Sequence, residues 1–413
     1  MEMKTVRIGD LYTVSNGLSK GKAFFGSGFP FLTFSEVMNN FFVPEKLTSL
    51  VQTDEKERDK FSIKRGDVFL NRTSETAEEL GISCVALQDH PNATFNGFCK
   101  RLRPIADEVV PEYIGYYLRS KVFRKHMLAL TGSMITRASL RNEQLTSIEI
   151  QLPSKEIQVK IANILRQYDL MIANCKKQIA LLEEAAQRLY REWFVDMRFP
   201  GHENVSFQNG YPIDWSEITL NDITSKFATG LNPRKNFVLG HGHNYYVTIK
   251  NLTSTYVVLD EKCDKIDDDA ITKINKRSDL RAGDLLFSGI GTIGRVALIY
   301  EDPINWNISE SLFTLRPNER VSSEFLYLLL LDSKIQGFAQ ANSQGSAQKG
   351  IRMAALRSFK LYLPSCEILK QFDSLVKPYI EQLKIVHKLY KFYSESRCLL
   401  LPRLISGEIK IDA

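Results

Sequence analysis

A glycine-rich run, Gly289-Ile-Gly291-Thr-Ile-Gly294, has the spacing of a dinucleotide-binding turn. Such a turn needs a helix behind it, whose first N–H groups meet the pyrophosphate. Here Arg295-Val-Ala-Leu-Ile-Tyr300 follows. That stretch predicts a strand, so the run is expected to be a strand connection. Gly17-Leu-Ser-Lys-Gly21-Lys22 is one residue short of a phosphate-binding loop, and Ala23 stands where Ser or Thr would hold magnesium. His241-Gly-His243 offers two imidazoles, but no paired cysteines accompany them in a chain with only 6 histidines. A loop is the expectation there, not a metal site. Asp302-Pro303-Ile304 lacks the Pro-Pro-aromatic stretch of an amino-methyltransferase, and Glu408-Ile-Lys410 has no upstream Pro-Asp to complete a nuclease motif. No nucleophile–base set stands out. The expectation is a non-catalytic chain that holds neither metal nor cofactor.

The 413 residues suffice for two to four domains. With 44% hydrophobic and 25% charged residues, the chain is neither disordered, nor collagen-like, nor a disulfide miniprotein. Lys plus Arg is 54 against 48 Asp plus Glu, a net charge of +6 that permits a nucleic-acid partner without requiring one. The 6 cysteines form no C-x-x-C pair, which predicts free thiols in a reducing compartment. The N-terminus has no apolar signal region, and no apolar run is long enough to span a membrane. A cytoplasmic protein without membrane contact is expected.

The elements that must position any site are duplicated. Leu152-Pro153-Ser154 recurs as Leu363-Pro364-Ser365, and Arg103-Pro104 as Arg316-Pro317. Gly66-Asp67 recurs as Gly283-Asp284, Gly17-Leu18 as Gly230-Leu231, and Gly132-Ser133 as Gly345-Ser346. Five matches in one order, at nearly constant offset, mean one unit of roughly 200 residues used twice. Each unit opens with a turn-rich part. Strands are predicted at 28–34, 67–70 and 82–87, then at 245–249, 284–288 and 295–300. A helix is predicted after Pro111 and another over 324–340.

Each unit closes with a long helix. Apolar residues recur at Ile161, Leu165, Tyr168, Ile172, Cys175, Ile179, Leu182, Ala186, Leu189 and Trp193, alternating by four and three. The same offset gives Phe372, Val376, Tyr379, Leu383, Val386, Tyr390, Tyr393, Arg397, Leu400 and Leu404, all but one apolar or aromatic. A 3.5-residue period over four heptads predicts a coiled-coil seam. Pro378 is expected to kink the second helix or mark its start, and Pro402 to end it, with Gly407 just beyond. The seam spans roughly 48 Å at 1.5 Å per residue. The link from Pro200-Gly201 to Trp215 is short, so the second helix is expected to run back antiparallel to the first, giving two globes on a two-helix rod. The fold class is α+β. Two different globes at fixed spacing suit an elongated ligand with two features, and DNA offers one through its major-groove edges.

Several stretches resemble one family. Tyr190-Arg-Glu192-Trp193-Phe194-Val195 with Arg198-Phe199-Pro200-Gly201 is similar to the end of the central conserved helix in specificity subunits of type I restriction–modification systems. Leu399-Leu400-Leu401-Pro402-Arg403-Leu404-Ile405-Ser406-Gly407-Glu408-Ile409 resembles their C-terminal signature. Tyr211-Pro212-Ile213-Asp214-Trp215, the Gly283–Gly294 stretch and the segment from Gly345 to Pro364 resemble the opening, centre and close of a target recognition domain. The first half departs from that pattern. Its opening Val6-Arg-Ile-Gly-Asp10 has no Trp, and its central loop 71–81 is longer.

The resemblance implies two tandem mixed α/β target recognition domains, 1–153 and 201–364, separated by a long antiparallel two-helix coiled coil. Its helices would be 154–200 and, with a tail, 365–413. It implies a DNA specificity subunit without activity alone, each domain reading half of an asymmetric bipartite site while the rod sets the spacer. The implied partners are double-stranded DNA, two modification subunits and the restriction subunits. S-adenosylmethionine, ATP and magnesium would sit on those partners. DNA contacts are expected from basic and polar residues in loop-like stretches: Lys20, Lys22, Arg72, Thr73 and Arg137 in the first domain, and Arg234, Lys235, Arg295, Gln348 and Lys349 in the second. A coiled-coil adaptor for proteins, and an enzyme with an unrecognised site, are the alternatives.

Overall fold

The computed structural model describes residues 3–131, 138–253, 255–345 and 349–411. The chain divides into two units, Met1–Asn174 with Tyr390–Ala413, and Cys175–Leu389. Each is built around a four-stranded antiparallel sheet. In the first unit the order is Tyr12–Asn16, Cys99–Pro104, Val68–Asn71, Ser83–Val85. In the second it is Thr224–Thr229, Leu312–Pro317, Leu285–Ser288, Val296–Leu298. A smaller sheet is duplicated too. Phe25–Leu32 runs parallel to Thr94–Phe95 and antiparallel to Leu50–Val51. Asn244–Val247 runs parallel to Trp306–Ile308 and antiparallel to Asp264–Ile266. A strand pair ties the two ends of each globular module, Lys4–Arg7 with Glu149–Leu152 and Ser216–Thr219 with Lys360–Leu363.

Among the described residues, three of the recurring dipeptides are working parts of this scaffold, while Gly132, Ser133 and Ser346 lie outside the described residues. Arg103 donates to both carboxylate oxygens of buried Asp67 at 2.8 and 2.7 Å, and Arg316 does the same to buried Asp284 at 2.7 and 2.9 Å. The paired carboxylate raises each guanidinium's pKa above its ordinary value. Each Asp also accepts a backbone N–H three residues back, from Lys64 or Arg281. The turn between them needs a left-handed residue, and Gly66 and Gly283 supply it, both at φ +86°. Gly17 and Gly230 recur for another reason. A Cβ there would fall 2.1 Å from the Asn96 carbonyl oxygen or 1.7 Å from that of Ile308.

The predicted helix over 324–340 is two helices, Ser323–Leu331 and Ser333–Ala341. Asp332 separates them in an extended conformation, and its carboxylate accepts the Lys334 N–H to start the second. The predicted strand 28–34 lies at Phe25–Leu32.

The first long helix is unbroken over Lys155–Phe194 and the second over Cys366–Ser406. Pro402 therefore does not end the second helix. Leu404 and Ile405 are buried in the first unit's core and their packing carries the helix one more turn. It stops at Gly407, whose φ is +77°. Pro378 likewise lies inside the helix. The seam slips beside it: Tyr379 is 37% exposed and Ile380 only 3%. The buried order Phe372, Val376, Ile380, Leu383 is a step of four, four and three, the spacing of a locally unwound supercoil.

In the first unit the two helices run antiparallel. Ile161 and Leu165 share a core with Leu404 and Ile405, Tyr168 meets Tyr393 at 6.4 Å, and Asp169 pairs with Arg397 at 2.6 Å. Leu400 packs against that core, while Ile172 and Tyr390 are half-buried. In the second unit Tyr190, Trp193 and Phe194 surround Phe372, with Val376 and Leu383 buried and Ile179, Leu182 and Leu189 packed at the margin. Val386 is buried as well. These helices do more than form a seam. Tyr113, Ile114, Tyr117 and Leu145 of the first globular module belong to the core that holds Ile161 and Leu165. Among the described residues no helix is long and apolar enough to cross a membrane.

Candidate nucleic-acid interface

Each four-stranded sheet ends in a rim where three strand ends meet. In the first unit these are Asn16-Gly17, Asn71-Arg72 and Phe98-Cys99. The Gly17 N–H donates to the Cys99 carbonyl at 3.1 Å and the Arg72 N–H to the Phe98 carbonyl at 2.9 Å. The Arg72 carbonyl accepts the Leu140 N–H at 2.9 Å. The second rim repeats this pattern. The Gly289 N–H donates to Ser311 at 2.9 Å, and the Gly289 carbonyl accepts the Ile351 N–H at 2.9 Å. Gly289–Gly294 is thus a connection between antiparallel strands, as the sequence predicts.

The predicted contact residues differ in how free they are. Lys20 lies on the run leaving the first rim, but its ammonium binds Glu57 at 2.6 Å and the Gln52 carbonyl at 2.7 Å. The hydrogen bond from Lys20 holds the Glu57 carboxyl below its ordinary pKa. Lys22 is exposed at the start of a short turn, Lys22–Phe24. Arg72 is half-buried at the rim, and Thr73 sits in Thr73–Ser74, which pairs with Ala138–Ser139. Arg137 and Gln348 lie outside the described residues.

In the second unit Arg234 and Lys235 are exposed on the turn Pro233–Lys235, which the Asn232 side chain caps. Arg295 donates to the carbonyls of Ile249 and Leu252 at 3.0 and 3.1 Å, so it holds a loop together. Lys349 is exposed, and its carbonyl accepts the Gly291 N–H at 2.8 Å. The two rims therefore gather Arg72 and Thr73 on one side and Lys349 on the other. The Arg234–Lys235 turn follows the strand that ends at Thr229.

The sequence reading passed over Lys100, Asn16, Asn142 and Phe98. Lys100 faces Asn16 and Leu70 on the flanking strands. Strand alternation puts it on the face of Leu102, where an apolar residue is expected. Its ammonium is hydrogen-bonded to the side-chain oxygen of Asn142 and, at 3.4 Å, to that of Asn16. Phe98 is 59% exposed beside Arg72. The sequence shows the Lys, but only the strand pairing shows that it faces inward.

His243 reaches only Asp268, at 3.5 Å, and both are exposed. Among the described residues no three His, Cys, Asp or Glu side chains are placed to hold a metal ion.

Comparisons with known proteins bear on this arrangement. A family model described as the type I restriction modification DNA specificity domain matches residues 1–184 and again 212–397. The type I restriction enzyme MjaIX specificity subunit of Methanocaldococcus jannaschii is 24% identical over 412 residues, covering 98% of this chain and 92% of that protein. The HindI specificity subunit of Haemophilus influenzae is 22% identical, over 92% of this chain and 94% of its own. The crystal structure of a type I restriction–modification S subunit from M. genitalium has the same fold, with a TM-score of 0.59 at 16% identity over 98% and 96% of the two chains.

Proposed function

Because the chain belongs to the type I restriction modification DNA specificity family, we propose that it is the sequence-reading subunit of a type I restriction–modification complex. One observation carries this reading furthest. The two recognition modules repeat the four-stranded sheet, the smaller three-stranded sheet and the closing strand pair, yet their rims carry different side chains. Two copies of one scaffold with different rims suit an asymmetric bipartite DNA site, one half per module. Phosphates would fix register and base edges would supply sequence.

In this reading the chain has no turnover of its own. Two modification subunits dock along the long helices and, with S-adenosylmethionine, methylate adenine at N6 after flipping it from the duplex. Restriction subunits add ATP- and magnesium-dependent cleavage. A protein-binding adaptor finds no support among the relatives, which are named as specificity subunits.

The test is modification sequencing in a host without adenine methylation, with this chain and its modification subunit co-expressed. One asymmetric bipartite motif, lost when this chain is omitted, is the expected result. Methylation independent of the chain overturns the reading. The helices are proposed to set the unread spacer. One heptad inserted after Asp169 and another before Tyr393 leaves the Tyr168–Tyr393 contact in place. At 1.5 Å per residue it should lengthen the spacer by about three base pairs. An unchanged spacer in an assembled complex would sink the ruler.

A further inference from the structure

The guanidiniums of Arg101, Arg103, Arg119 and Arg124 in the first unit each reach a carbonyl or carboxylate, although the Nε of Arg101 is itself unpartnered. Arg103 holds Asp67. Arg119 donates to the carbonyls of Ser83, Val37 and Asn40 at 2.6 to 2.7 Å, Arg124 to that of Leu80 at 2.7 Å, and Arg101 to that of Ser62 at 2.6 Å. Arg72 differs. Its Nε is buried without a hydrogen-bond partner, and among the described residues its guanidinium makes no hydrogen bond or ion pair. Beside it stands Lys100, 6% exposed. Leu70 is paired with Lys100 across the sheet, and Arg72 follows two residues on, so both cations share one face. Lys100 has only two amide oxygens as acceptors, one of them at 3.4 Å, and no carboxylate in contact. Exposed Glu143 acts on it without contact. Burial, and then Arg72, push its pKa below the ordinary lysine value.

Two adjacent, partly desolvated cations without a counterion are costly unless an anion completes them. A phosphate oxygen matches this pair, since guanidinium and ammonium both donate to it. At the matching positions among the described residues the second unit has no such pair. Phe313 takes the place of Lys100 and Gly289 that of Arg72, and the Phe313 ring lies where a Cβ on Gly289 would be, 2.3 Å away.

The geometry points to a phosphate seat at the first rim, formed by Arg72 and Lys100 with Asn16 and Asn142 orienting the ammonium, that takes one backbone phosphodiester of the bound duplex in the first module's half of the site. This rests on the DNA-reading role proposed above. The seat fixes register and carries no base preference.

The experiment uses the full chain assembled with its modification subunits and the duplex that the wild-type complex methylates. Arg72→Ala and Lys100→Met each remove a cation. Asn142→Asp, at an exposed helix start, places a carboxylate on Lys100 without disturbing the core. Each variant should weaken binding roughly tenfold at about 0.1 M salt and make the slope of log K against log salt shallower by about one. The methylated motif should stay the same. An unchanged slope for Arg72→Ala and Asn142→Asp in an assembled complex overturns the seat, and so does a changed motif, which would make these residues base readers. Stabilisation of the chain by inorganic phosphate with an unaltered duplex slope would assign the pair to a free anion and overturn it also. A wild-type complex that binds no duplex sequence-specifically refutes the parent reading itself.

Discussion

The two sheets agree where they carry load and disagree where they face outward. Asp67 with Arg103 matches Asp284 with Arg316 almost atom for atom, down to the glycine at φ +86°. At the rims Arg72 answers to Gly289 and Lys100 to Phe313. The ion pair is internal, so a change there strands a charge. At the rim both members of the pair change together, Phe313 filling the space that a side chain on Gly289 would need, so the chemistry differs while the sheet is kept. A recognition scaffold needs that division: geometry preserved in the interior, chemistry replaceable at the edge.

The sharpest way to break the comparison is to attack the shared part. Asp67→Ala should cost about 3 kcal/mol, because it leaves the Arg103 guanidinium without its carboxylate beside the core; Asp284→Ala should cost less, because Arg316 keeps Asp279 at 3.4 Å. The loss should stay within the mutated unit. Hydrogen exchange resolved by unit checks this, since one melting curve does not describe two units. Faster exchange spreading equally through both would contradict independent cores.

A second test uses pH. His387 is buried against the Tyr256 ring at 4.0 Å, with Nε2 hydrogen-bonded to the Thr255 hydroxyl at 2.8 Å and Nδ1 unpartnered. Burial pushes its pKa down to about 4. The unfolded chain takes up the proton near pH 6.5. Stability from the neutral ring is therefore full above about 6.5 and is lost as pH falls toward 4, by about 3 kcal/mol. The second unit should weaken over this range, and His387→Phe should flatten the dependence. Burial lowers the pKa of His90 in the first unit too, but Asp89 opposes that shift, so the first unit should respond less. Equal acid sensitivity of the two units would contradict this assignment.

Smaller effects sharpen the helix register. Ile380→Ala should cost about 2–4 kcal/mol. Tyr379→Ala should stay within about 0.5 kcal/mol. Denaturant melts of the paired variants decide it, and the reverse order would restore an unbroken heptad.

Much of the fold was legible because duplication leaves a mark in the chain. Gly66-Asp67 and Arg103-Pro104 were visible as recurrences, but Asp67 and Arg103 are 36 residues apart and only the folded sheet pairs them. The long helices were legible from their period. The slip at Tyr379 was not, because copying a register by a fixed offset assumes that two helices drift alike. The break at Asp332 was hidden by the apolar run Phe325–Leu330, which is buried all round and so has no face to lose. The rim was legible only in part. Arg72 is basic and follows a strand, which the sequence displays. Lys100 sits mid-strand among Cys99, Arg101 and Arg103, and nothing local says which of those side chains turns inward.

The division of the chain also dictates an order of assembly. The second unit is continuous, Cys175–Leu389, whereas the first closes only with Tyr390–Ala413, which supplies Leu404 and Ile405 to its core. A ribosome delivers residues from the N-terminus. The half synthesised first must therefore wait for the segment from Tyr390 on, while the half synthesised second can mature ahead of it. A premature stop near the end would spare the later half and leave the earlier one unfinished.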